Sequence, residues 1–349
     1  MYNKSSCPQL SKMATDNNLR GIVMSRFIFS APTGDGWMNL ARDGFFLDNV
    51  KKGDVILYFY VNTNAVIIGR NQNAWKECSL ANMERDGVQL VRRHTGGGAV
   101  YHDTGNLNFS FIMNEKDYNL ERQMKVIMKA VGRLGVECEL SGRNDILANG
   151  RKFSGNAYGL SKGNRAHHGT LLVNTDMSRL QNYLNVSKEK MQAKGVDSVR
   201  SRVCNLSDFV PNITVEKMRR YVIESFIEEY GPSTEYRFEG EELAEVEKRR
   251  EVQASWEWRL GKTPQFEVAL NHRFSFGETQ LHMNFTDGFI REIKVYSDSL
   301  DTGLAGEVEK ALVGARLEDG AIRNALKAMD SADAAGEIAD FICSSDLLR

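Results

Sequence analysis

The segment from Val91 to Asp103 combines two adjacent arginines with three consecutive glycines. Arg92 and Arg93 supply positive charge, and Gly96–Gly98 cost backbone entropy that a simple hairpin does not require. We therefore expect the glycines to let the main chain approach a ligand closely, although a purely structural role is the alternative. Exposed N–H groups beside positive charge suit a carboxylate or a phosphate. Because no Gly-Lys-Ser/Thr follows and the next predicted element is a strand, the segment is neither a Walker loop nor a dinucleotide fingerprint.

Three other groups of polar residues are candidates for the same site, namely Asn144-Asp145, Lys152 and His167-His168-Gly169. Each also has a plainer interpretation. A lysine near a hairpin turn is often a solvated strand end, and paired histidines are often surface or structural residues. No cysteine or third histidine lies near enough to predict a zinc site.

The chemistry that this set would serve is nucleotidyl transfer. A carboxylate that attacks the α-phosphate of ATP must approach a second anion, so cations and N–H dipoles must offset the repulsion. Lys152 and an arginine on fixed strands, together with a glycine-rich loop, fit that requirement. Asp145 is a candidate ligand for Mg²⁺ beside the departing pyrophosphate.

The elements that position these residues are predicted from periodicity. Dense β-branched and aromatic runs at 55–61 and 65–68 predict a buried hairpin, and Asn149-Gly150 predicts a second one that carries Lys152. Apolar spacing predicts helices, and alternation or β-branched content predicts strands. The predicted helices cover 37–47, 120–134, 215–230 and 239–253, and further strands cover 24–30, 88–91, 106–112 and 168–174. Beyond residue 255 we expect a small meander over 266–295, with a turn at Asp287-Gly288, followed by two alanine-rich helices.

Composition excludes several classes of protein. The 349 residues carry 45 lysines and arginines against 46 aspartates and glutamates, so bulk attraction to nucleic acid or membranes is not indicated. No apolar run is long enough to predict a membrane span. The five cysteines are never closely spaced, which favours a reducing compartment. The first 23 residues lack a secretory pattern, so we expect a disordered leader and a cytoplasmic protein, or a mitochondrial one if the source is eukaryotic.

The chain closely resembles the lipoate–protein ligase family in an ordered set of motifs. The matching segments are 39–41, 66–73, 75–78, 92–103, 142–145, 151–155, 167–172, 193–202, 255–258 and 261–264. The resemblance implies a mixed α/β (α+β) catalytic domain with the biotin/lipoate ligase fold, distantly similar to class II synthetases. It places that domain at 24–250, with its core at about 51–234, and a small α+β accessory domain at 255–349.

The resemblance also implies an activity and a site. Lipoate is activated by ATP, with Mg²⁺, to lipoyl-AMP, and the lipoyl group is transferred to a lysine of a lipoyl domain, as in 2-oxoacid dehydrogenase E2 subunits and the glycine cleavage H protein. Lys152 is the expected catalytic residue, and Asp145 the expected metal ligand. The expected ATP-binding residues are Arg93, Gly98, Ala99, Val100, Tyr101, Asn144, Asp145 and Lys152. The expected lipoate-binding residues are Arg92, His94, Gly96, Gly97, Gly98, Lys152, His168 and Gly169.

Two further features follow from the resemblance. Residues 193–202 resemble the family's adenylate-covering loop, so we expect Lys194, Arg200 and Arg202 to meet the adenylate phosphate, with a solvated loop as the alternative. Many family members carry Asn-Leu-Ala-x-Glu-Glu where this chain has Asn39-Leu-Ala-Arg-Asp-Gly44. We expect the predicted helix around this segment to lie at the periphery of the chemistry, so that the change leaves activity intact.

Competing functions remain open at this point. An acyltransferase of the same fold that works without ATP needs a nucleophilic cysteine, for which Cys138 is the candidate. A biotin ligase is disfavoured because the glycine loop lacks a Gly-Arg-Gly-Arg sequence. A non-enzymatic binder of lipoyl domains has no need for Lys152, Arg93 and Asp145, which the chain retains.

Overall fold

The computed structural model describes residues 25–142, 144–184, 203–260, 268–345 and 347. Strands and helices alternate along most of these residues. The strands are β1 (Arg26–Ser30), β2 (Val55–Tyr60), β3 (Asn64–Ile68), β4 (Gln89–Arg92), β5 (Val100–Asp103), β6 (Asn106–Asn114), β7 (Glu139–Ser141), β8 (Asp145–Ala148), β9 (Arg151–Ser161), β10 (Asn164–Leu172), β11 (Thr234–Glu235), β12 (Val268–Phe274), β13 (Gly277–Thr286) and β14 (Phe289–Ser297). The helices are α1 (Gly36–Asn49), α2 (Ala74–Glu77), α3 (Leu80–Arg85), α4 (Leu120–Gly132), α5 (Met177–Tyr183), α6 (Val215–Tyr230), α7 (Glu241–Ala254), α8 (Trp256–Arg259), α9 (Leu304–Leu312), α10 (Asp319–Leu326) and α11 (Ala332–Ser344). None of these described helices has the length and apolar character needed to cross a bilayer.

The main sheet has eight strands in the order β11-β1-β2-β6-β10-β9-β8-β7. Strand β1 runs parallel to β2 and β11, and the other neighbours are antiparallel. The predicted hairpin that joins β8 to β9 is confirmed, because Asn149 and Gly150 both have positive φ, at 48° and 72°. This sheet provides the fixed strands on which the predicted site residues lie.

The predicted hairpin between β2 and β3 is wrong, because the two strands belong to different sheets. Strand β3 pairs with β4 and β5 in a second sheet of three strands. The connecting Asn62 is buried, accepts a hydrogen bond from Asn39 of α1 and contacts His102 of β5. The backbone N–H of Thr63 donates to the carbonyl of Gly34. These contacts hold the connection against the segment around α1, so the chain leaves the main sheet instead of turning back into it.

Both faces of the central strand β6 are covered. Leu107, Phe109 and Phe111 pack with α4 and α6 in the largest hydrophobic cluster. The alternate positions Asn108 and Ser110 are also buried, but they face away from that cluster. A polar row that is buried on a central strand indicates an internal polar site instead of solvent.

The C-terminal part forms its own small α+β unit, as predicted. Strands β12-β13-β14 make an antiparallel meander with the expected turn at Asp287-Gly288, and α9 and α10 correspond to the two predicted helices. A third helix, α11, was not predicted. Gly336 lies within it and lowers its intrinsic helix propensity, but burial of Ile338 and Ile342 in the local core stabilises the helix.

Candidate active site

A cavity of about 730 Å³ lies between the main sheet and the sheet of β3, β4 and β5. Most of the site residues that the sequence predicts meet in its lining. They are Arg93, Gly97, Gly98, Ala99, Val100, Tyr101, Asn144, Lys152, His168 and Gly169. Segments far apart in the sequence therefore converge on one concave, largely apolar surface, which is typical of a small-molecule site.

Lys152 reaches the cavity from β9, just beyond the Asn149-Gly150 turn. Its ammonium Nζ lies 2.6 Å from the Oδ1 atom of Asp145 on the neighbouring strand, and each side chain is about one-third exposed, at 34% and 35%. The Lys152 carbonyl accepts a hydrogen bond from the Cys204 N–H at 2.8 Å, so the backbone is fixed on its other side. Asn144 is fixed as well, since its Nδ2 donates to the Asn156 carbonyl at 2.7 Å. The result is a cation that lines the cavity from a rigid strand, beside the carboxylate of Asp145, which is itself not part of the lining.

Arg93 supports the glycine loop from within. Its Nε and Nη2 donate to the Gly96 carbonyl at 3.0 and 2.7 Å, and Nη2 also donates to the Gly98 carbonyl at 2.9 Å. Nη1 donates to the Ile67 carbonyl at 3.3 Å. Burial lowers the pKa of Arg93 to about 10, so the side chain keeps its charge at neutral pH. Most of its donors therefore serve the main chain of the glycine loop.

The three consecutive glycines differ in what surrounds them. A Cβ atom on Gly96 would lie 2.0 Å from the Ser299 carbonyl oxygen of the C-terminal unit. Gly97 has a φ of 95°, and a Cβ there would lie 2.7 Å from Nη2 of Arg93. Gly98 lines the cavity, and no atom of the described residues lies within 4 Å of a Cβ placed on it. The fold itself thus requires glycine at 96 and 97, and the space beside Gly98 is available to a ligand.

Three predicted lipoate-binding residues do not line the cavity. The acceptors that Arg92 has among the described residues are all main-chain carbonyls outside the cavity, and Gly96 packs against Ser299 as described above. The His94 ring lies 5.0 Å from that of Trp258, and its Nε2 is 3.0 Å from Nε2 of Gln253. Burial lowers the pKa of His94. Their proximity to the glycine loop in sequence does not bring these three residues to the cavity surface.

A buried chain of hydrogen bonds orients His168. Its Nε2 lies 2.7 Å from the Thr95 hydroxyl, and its Nδ1 lies 3.3 Å from Oδ2 of Asp43. The Ser110 hydroxyl donates to Oδ1 of Asp43 at 2.5 Å. Thr95 is only 1% exposed and does not line the cavity, so its hydroxyl is not placed as a nucleophile. These hydrogen bonds instead fix the orientation of the His168 ring.

Helix α1 is therefore not peripheral, contrary to the expectation from sequence. It contributes Asp43 to the hydrogen-bonded chain, and its Leu40 lines the cavity. Asp43 is the residue that stands at the first glutamate of the family pattern, and it keeps a buried carboxylate there. At the second position, a Cβ on Gly44 would lie 3.1 Å from Nε2 of His94, so the neighbourhood is already closely packed.

His102 is a cavity residue that the sequence did not single out. Its Nδ1 lies 3.1 Å from Nδ2 of Asn62, whose Oδ1 accepts from Asn39. Burial lowers the pKa of His102 to about 3, so the ring is neutral. Because the amide donates to Nδ1, the proton lies on Nε2, which has no hydrogen-bond partner within the described parts of the chain. The signal that could have identified this residue is its place at the end of the glycine motif.

Part of the cavity is lined from α5 and the segments beside it. Met177, Leu180, Leu184 and Val203 provide apolar surface there, and Thr175 is buried beside them. The Thr175 hydroxyl has no hydrogen-bond partner among the residues that the structure describes. These positions carry no motif, so only the tertiary fold identifies them.

The described cysteines do not support the thioester alternative. Cys138 is absent from the cavity lining, and burial raises the pKa of its thiol. Burial also raises the pKa of Cys204 to about 11, and its thiol donates to the Arg151 carbonyl at 3.4 Å. Thiols with raised pKa values are poor nucleophiles at neutral pH.

Two expectations remain, one for the adenylate loop and one for a metal site. Lys194, Arg200 and Arg202, the predicted adenylate loop, lie outside the described residues, as do residues 1–24. Within the described ranges there is no cluster of three histidine, cysteine, aspartate or glutamate side chains that suits a metal. Asp145 is nevertheless a suitable single carboxylate, since Mg²⁺ in nucleotide sites is held mainly by phosphates and water.

Comparisons with known proteins agree with this geometry. The family profile described as "Lipoyl protein ligase A/B catalytic domain" matches residues 35–227, and "Bacterial lipoate protein ligase C-terminus" matches residues 263–342. The curated lipoate-protein ligase A of Blochmanniella floridana is 37% identical over 301 residues, which cover 84% of this chain and 89% of that protein.

Solved structures show the same similarity. Plasmodium falciparum LipL1 in complex with lipoate matches with a TM-score of 0.81 and 29% identity, over 92% of this chain and all of that one. A bipartite lipoate protein ligase from Thermoplasma acidophilum, solved as a system with its E2 lipoyl domain, matches with a TM-score of 0.63 and 30% identity, over 70% of this chain and all of that one. A lipoate-protein ligase A bound with ATP matches with a TM-score of 0.60 and 30% identity, over 69% of this chain and 99% of that one. The chain belongs to the lipoate–protein ligase family.

Proposed function

We propose that the cavity is the site at which this ATP-dependent lipoate–protein ligase joins lipoate to AMP. The observation that carries the proposal is the position of Lys152. Lys152 lines the same largely apolar cavity as Gly97 and Gly98, and its ammonium group pairs with Asp145. A cation fixed at that point can stabilise the negative charge that develops when a carboxylate attacks a phosphate.

Two parts of the cavity lining suit the two substrates. We assign the part lined by Leu40, Tyr60, Ile67 and Ala157, with His168 beside them, to the chain and ring of lipoate. We assign the part lined from α5 to the adenosine of ATP, because the Thr175 hydroxyl has no hydrogen-bond partner among the described residues. Lys152 and Asn144 then contact the groups that react.

The chemistry follows from this arrangement. A carboxylate oxygen of lipoate attacks the α-phosphorus of ATP, a C–O–P anhydride forms, and the bond to pyrophosphate breaks. The amine of an acceptor lysine then attacks the lipoyl carbonyl, an amide forms, AMP leaves, and the amine loses a proton. Lys152 offsets the charge of the phosphate in both steps, and the apolar walls exclude water that would hydrolyse the anhydride. Mg²⁺, when bound with ATP, would be held by Asp145 and would neutralise charge on the leaving pyrophosphate.

The acceptor that we propose is a lipoyl domain, in E2 subunits of 2-oxoacid dehydrogenases and in the glycine cleavage H protein. The family acts on lipoyl domains, and the Thermoplasma ligase was solved with its E2 lipoyl domain. A non-enzymatic binder is the alternative, but it has no need for a cation and a carboxylate held 2.6 Å apart at a cavity rim.

The proposal is tested by transfer to a purified E2 lipoyl domain. The chain is incubated with lipoate, ATP, Mg²⁺ and the domain, and the intact mass of the domain is measured. We expect one lipoyl group on the wild-type domain, none on a domain whose acceptor lysine is replaced by arginine, and none without ATP. A gain in mass when an acylated carrier protein replaces lipoate and ATP would favour the transferase, and binding without any gain in mass would favour the binder.

A further inference from the structure

Arg92, the last residue of β4, has an unusual set of partners. Its buried guanidinium makes five hydrogen bonds, and all of them go to main-chain carbonyl oxygens. On one side these are Gly69 at 3.2 Å, Arg70 at 2.9 Å and Gln72 at 2.6 Å. On the other side they are Trp258 at 2.9 Å and Arg259 at 2.8 Å, at the end of α8. Within the described ranges no carboxylate pairs with it.

Burial of an unpaired cation is costly, so the arrangement needs a reason. The planar guanidinium offers five donors in a fixed fork, which lysine does not. That fork is suited to joining two separate groups of carbonyl oxygens. Arg92 therefore ties the segment Gly69–Gln72 to α8, which precedes the C-terminal unit.

Trp258 makes a reciprocal contact with the main chain of Arg92. Its indole Nε1 donates to the Arg92 carbonyl at 2.9 Å and to Oε1 of Gln253 at 3.1 Å. The guanidinium and the indole thus hold each other's main chains. We call this arrangement of Arg92, Trp258 and the segment Gly69–Gln72 the Arg92–Trp258 clasp.

The clasp lies directly behind the glycine loop. The Arg70 N–H donates to the Thr95 carbonyl at 2.9 Å. Gly69 packs so closely on Gly97 that a Cβ atom on Gly69 would lie 2.1 Å from the Gly97 carbonyl oxygen. Any shift of Gly69–Gln72 is therefore passed to Gly97, which lines the cavity.

We propose that Arg92 is a positioning residue for the adenylation site, which acts through the Arg92–Trp258 clasp to hold Gly97 and Gly98 in the shape that binds lipoate and the acyl-adenylate. The proposal rests on the proposed function of the cavity, and it replaces the direct contact with lipoate that the sequence suggested for Arg92. Its distinguishing consequence is that a residue on the other half of the clasp, Trp258, shares the effect without touching the cavity.

The test uses Arg92→Lys, Trp258→Phe and the double variant in the full-length protein. Trp258→Phe keeps an aromatic ring but removes the indole donor. We expect each single variant to raise the KM for lipoate roughly tenfold in lipoate-dependent ATP–pyrophosphate exchange, with a smaller change in kcat. Because the two residues share one network, the double variant should resemble Arg92→Lys and not show the product of both effects. Arg85→Lys, the same substitution at an exposed arginine, is the control and should change neither value.

Hydrogen exchange of the ligand-free proteins provides a readout that does not depend on activity. Amides of residues 95–99 should exchange roughly fivefold faster or more in both clasp variants than in the Arg85→Lys control. A raised KM in Arg92→Lys with wild-type behaviour in Trp258→Phe would overturn the proposal in favour of direct ligand contact. A lower melting temperature with unchanged KM and unchanged exchange at 95–99 would reduce Arg92 to a residue of the fold. If the wild-type protein shows no pyrophosphate exchange, the proposed function fails, and the hydrogen-exchange comparison still decides whether the clasp exists.

Discussion

The charged residues of the glycine motif divide into two roles once their partners are known. Arg92 and Arg93 donate mainly to main-chain carbonyls, and burial lowers the pKa of each to about 10. Lys152, in contrast, keeps its ammonium at the cavity rim beside a single carboxylate. We therefore assign the electrostatic part of the reaction to Lys152, and the maintenance of the loop to the two arginines.

Replacement of Lys152 by alanine should abolish formation of the adenylate and leave the fold intact. The ion pair with Asp145 is about one-third exposed, so it contributes little to stability. Loss of a fixed cation beside the transition state typically costs about 3 kcal/mol, which is a rate reduction of roughly two orders of magnitude or more. Pyrophosphate exchange and thermal melting measure the two effects. Exchange within a few-fold of the wild-type rate would remove Lys152 from the catalytic role.

The consecutive glycines should respond differently to substitution. Gly97→Val places a β-branched residue at a φ of 95° and against Arg93, so we expect a lower melting temperature even without ligand. Gly98→Ala adds a methyl group at the cavity wall that meets none of the described residues, so it should leave the melting temperature unchanged and weaken lipoate binding. Calorimetric titration with lipoate and thermal melting of both variants compare the positions. Equal losses of stability at 97 and 98 would contradict this division.

The pH dependence of stability should contain a contribution from His102. Burial lowers its pKa from 6.5 to about 3, so between these values the unfolded chain binds a proton that the folded protein does not. The free energy of unfolding should therefore fall as the pH decreases below 6.5, by up to about 1.4 kcal/mol per pH unit from this group. In His102→Asn that contribution disappears. The free energy of unfolding, measured with urea, should therefore fall less steeply in the variant than in the wild type as the pH decreases from 6.5 to 4. Parallel curves for the two proteins would show that His102 titrates normally in the fold.

At the scale of single residues, the sequence predicted the cavity residues whose positions are fixed by a local sequence pattern. Lys152 follows an Asn-Gly turn, and Gly98 lies in a motif with few structural alternatives. The role of Arg92 was not predictable, because two of its carbonyl partners, at 258 and 259, lie more than 160 residues away. Sequence proximity to the glycines suggested a ligand contact, and tertiary structure gave it a main-chain role instead.

At the scale of elements, the functional surface is built from the faces that do not join the apolar core. Strand β6 turns Leu107, Phe109 and Phe111 toward α4 and α6, and its alternate residues toward the cavity and α1. Alternation predicted the strand correctly, but its polar face is buried against the cavity and α1 and is not exposed to solvent. The break between β2 and β3 was missed for a related reason, because tertiary hydrogen bonds to Asn62 decide the direction of the chain there.

Helix α1 should be coupled to the cavity through Asp43. Asp43→Ala leaves the Ser110 hydroxyl and Nδ1 of His168 without their partner in a buried position, so it should cost about 1–3 kcal/mol of stability. The KM for lipoate should rise as well, because His168 loses its fixed orientation. Asp43→Asn, which keeps the shape and one acceptor, is the control and should lose less. Urea unfolding measures the stability, and the kinetics of ATP–pyrophosphate exchange measure the KM for lipoate. An unchanged KM in Asp43→Ala would show that α1 does not influence lipoate binding.

At the scale of the whole molecule, the C-terminal unit is joined to the glycine loop and not only to the end of the chain. The Gly97 N–H donates to the Ser299 carbonyl at 3.0 Å, and Asn71 Nδ2 donates to the Thr302 carbonyl at 3.0 Å. The Ser297 N–H donates to the Asn71 carbonyl at 2.9 Å. Composition and motifs predicted a separate small unit but not this contact, because the acceptors are all main-chain carbonyls, which leave no mark on residue type. The shape of the cavity wall is thus a property of both units together.

Lipoate-dependent ATP–pyrophosphate exchange tests the central claim most directly, because it reports adenylation without any acceptor protein. The purified chain is incubated with ATP, Mg²⁺ and labelled pyrophosphate, with and without lipoate, and the label in ATP is counted. Reversible formation of lipoyl-AMP in the cavity predicts exchange that requires lipoate and is lost in Lys152→Ala. Lipoylation of an E2 lipoyl domain by a preparation that shows no exchange, or exchange that is indifferent to lipoate, would contradict the account.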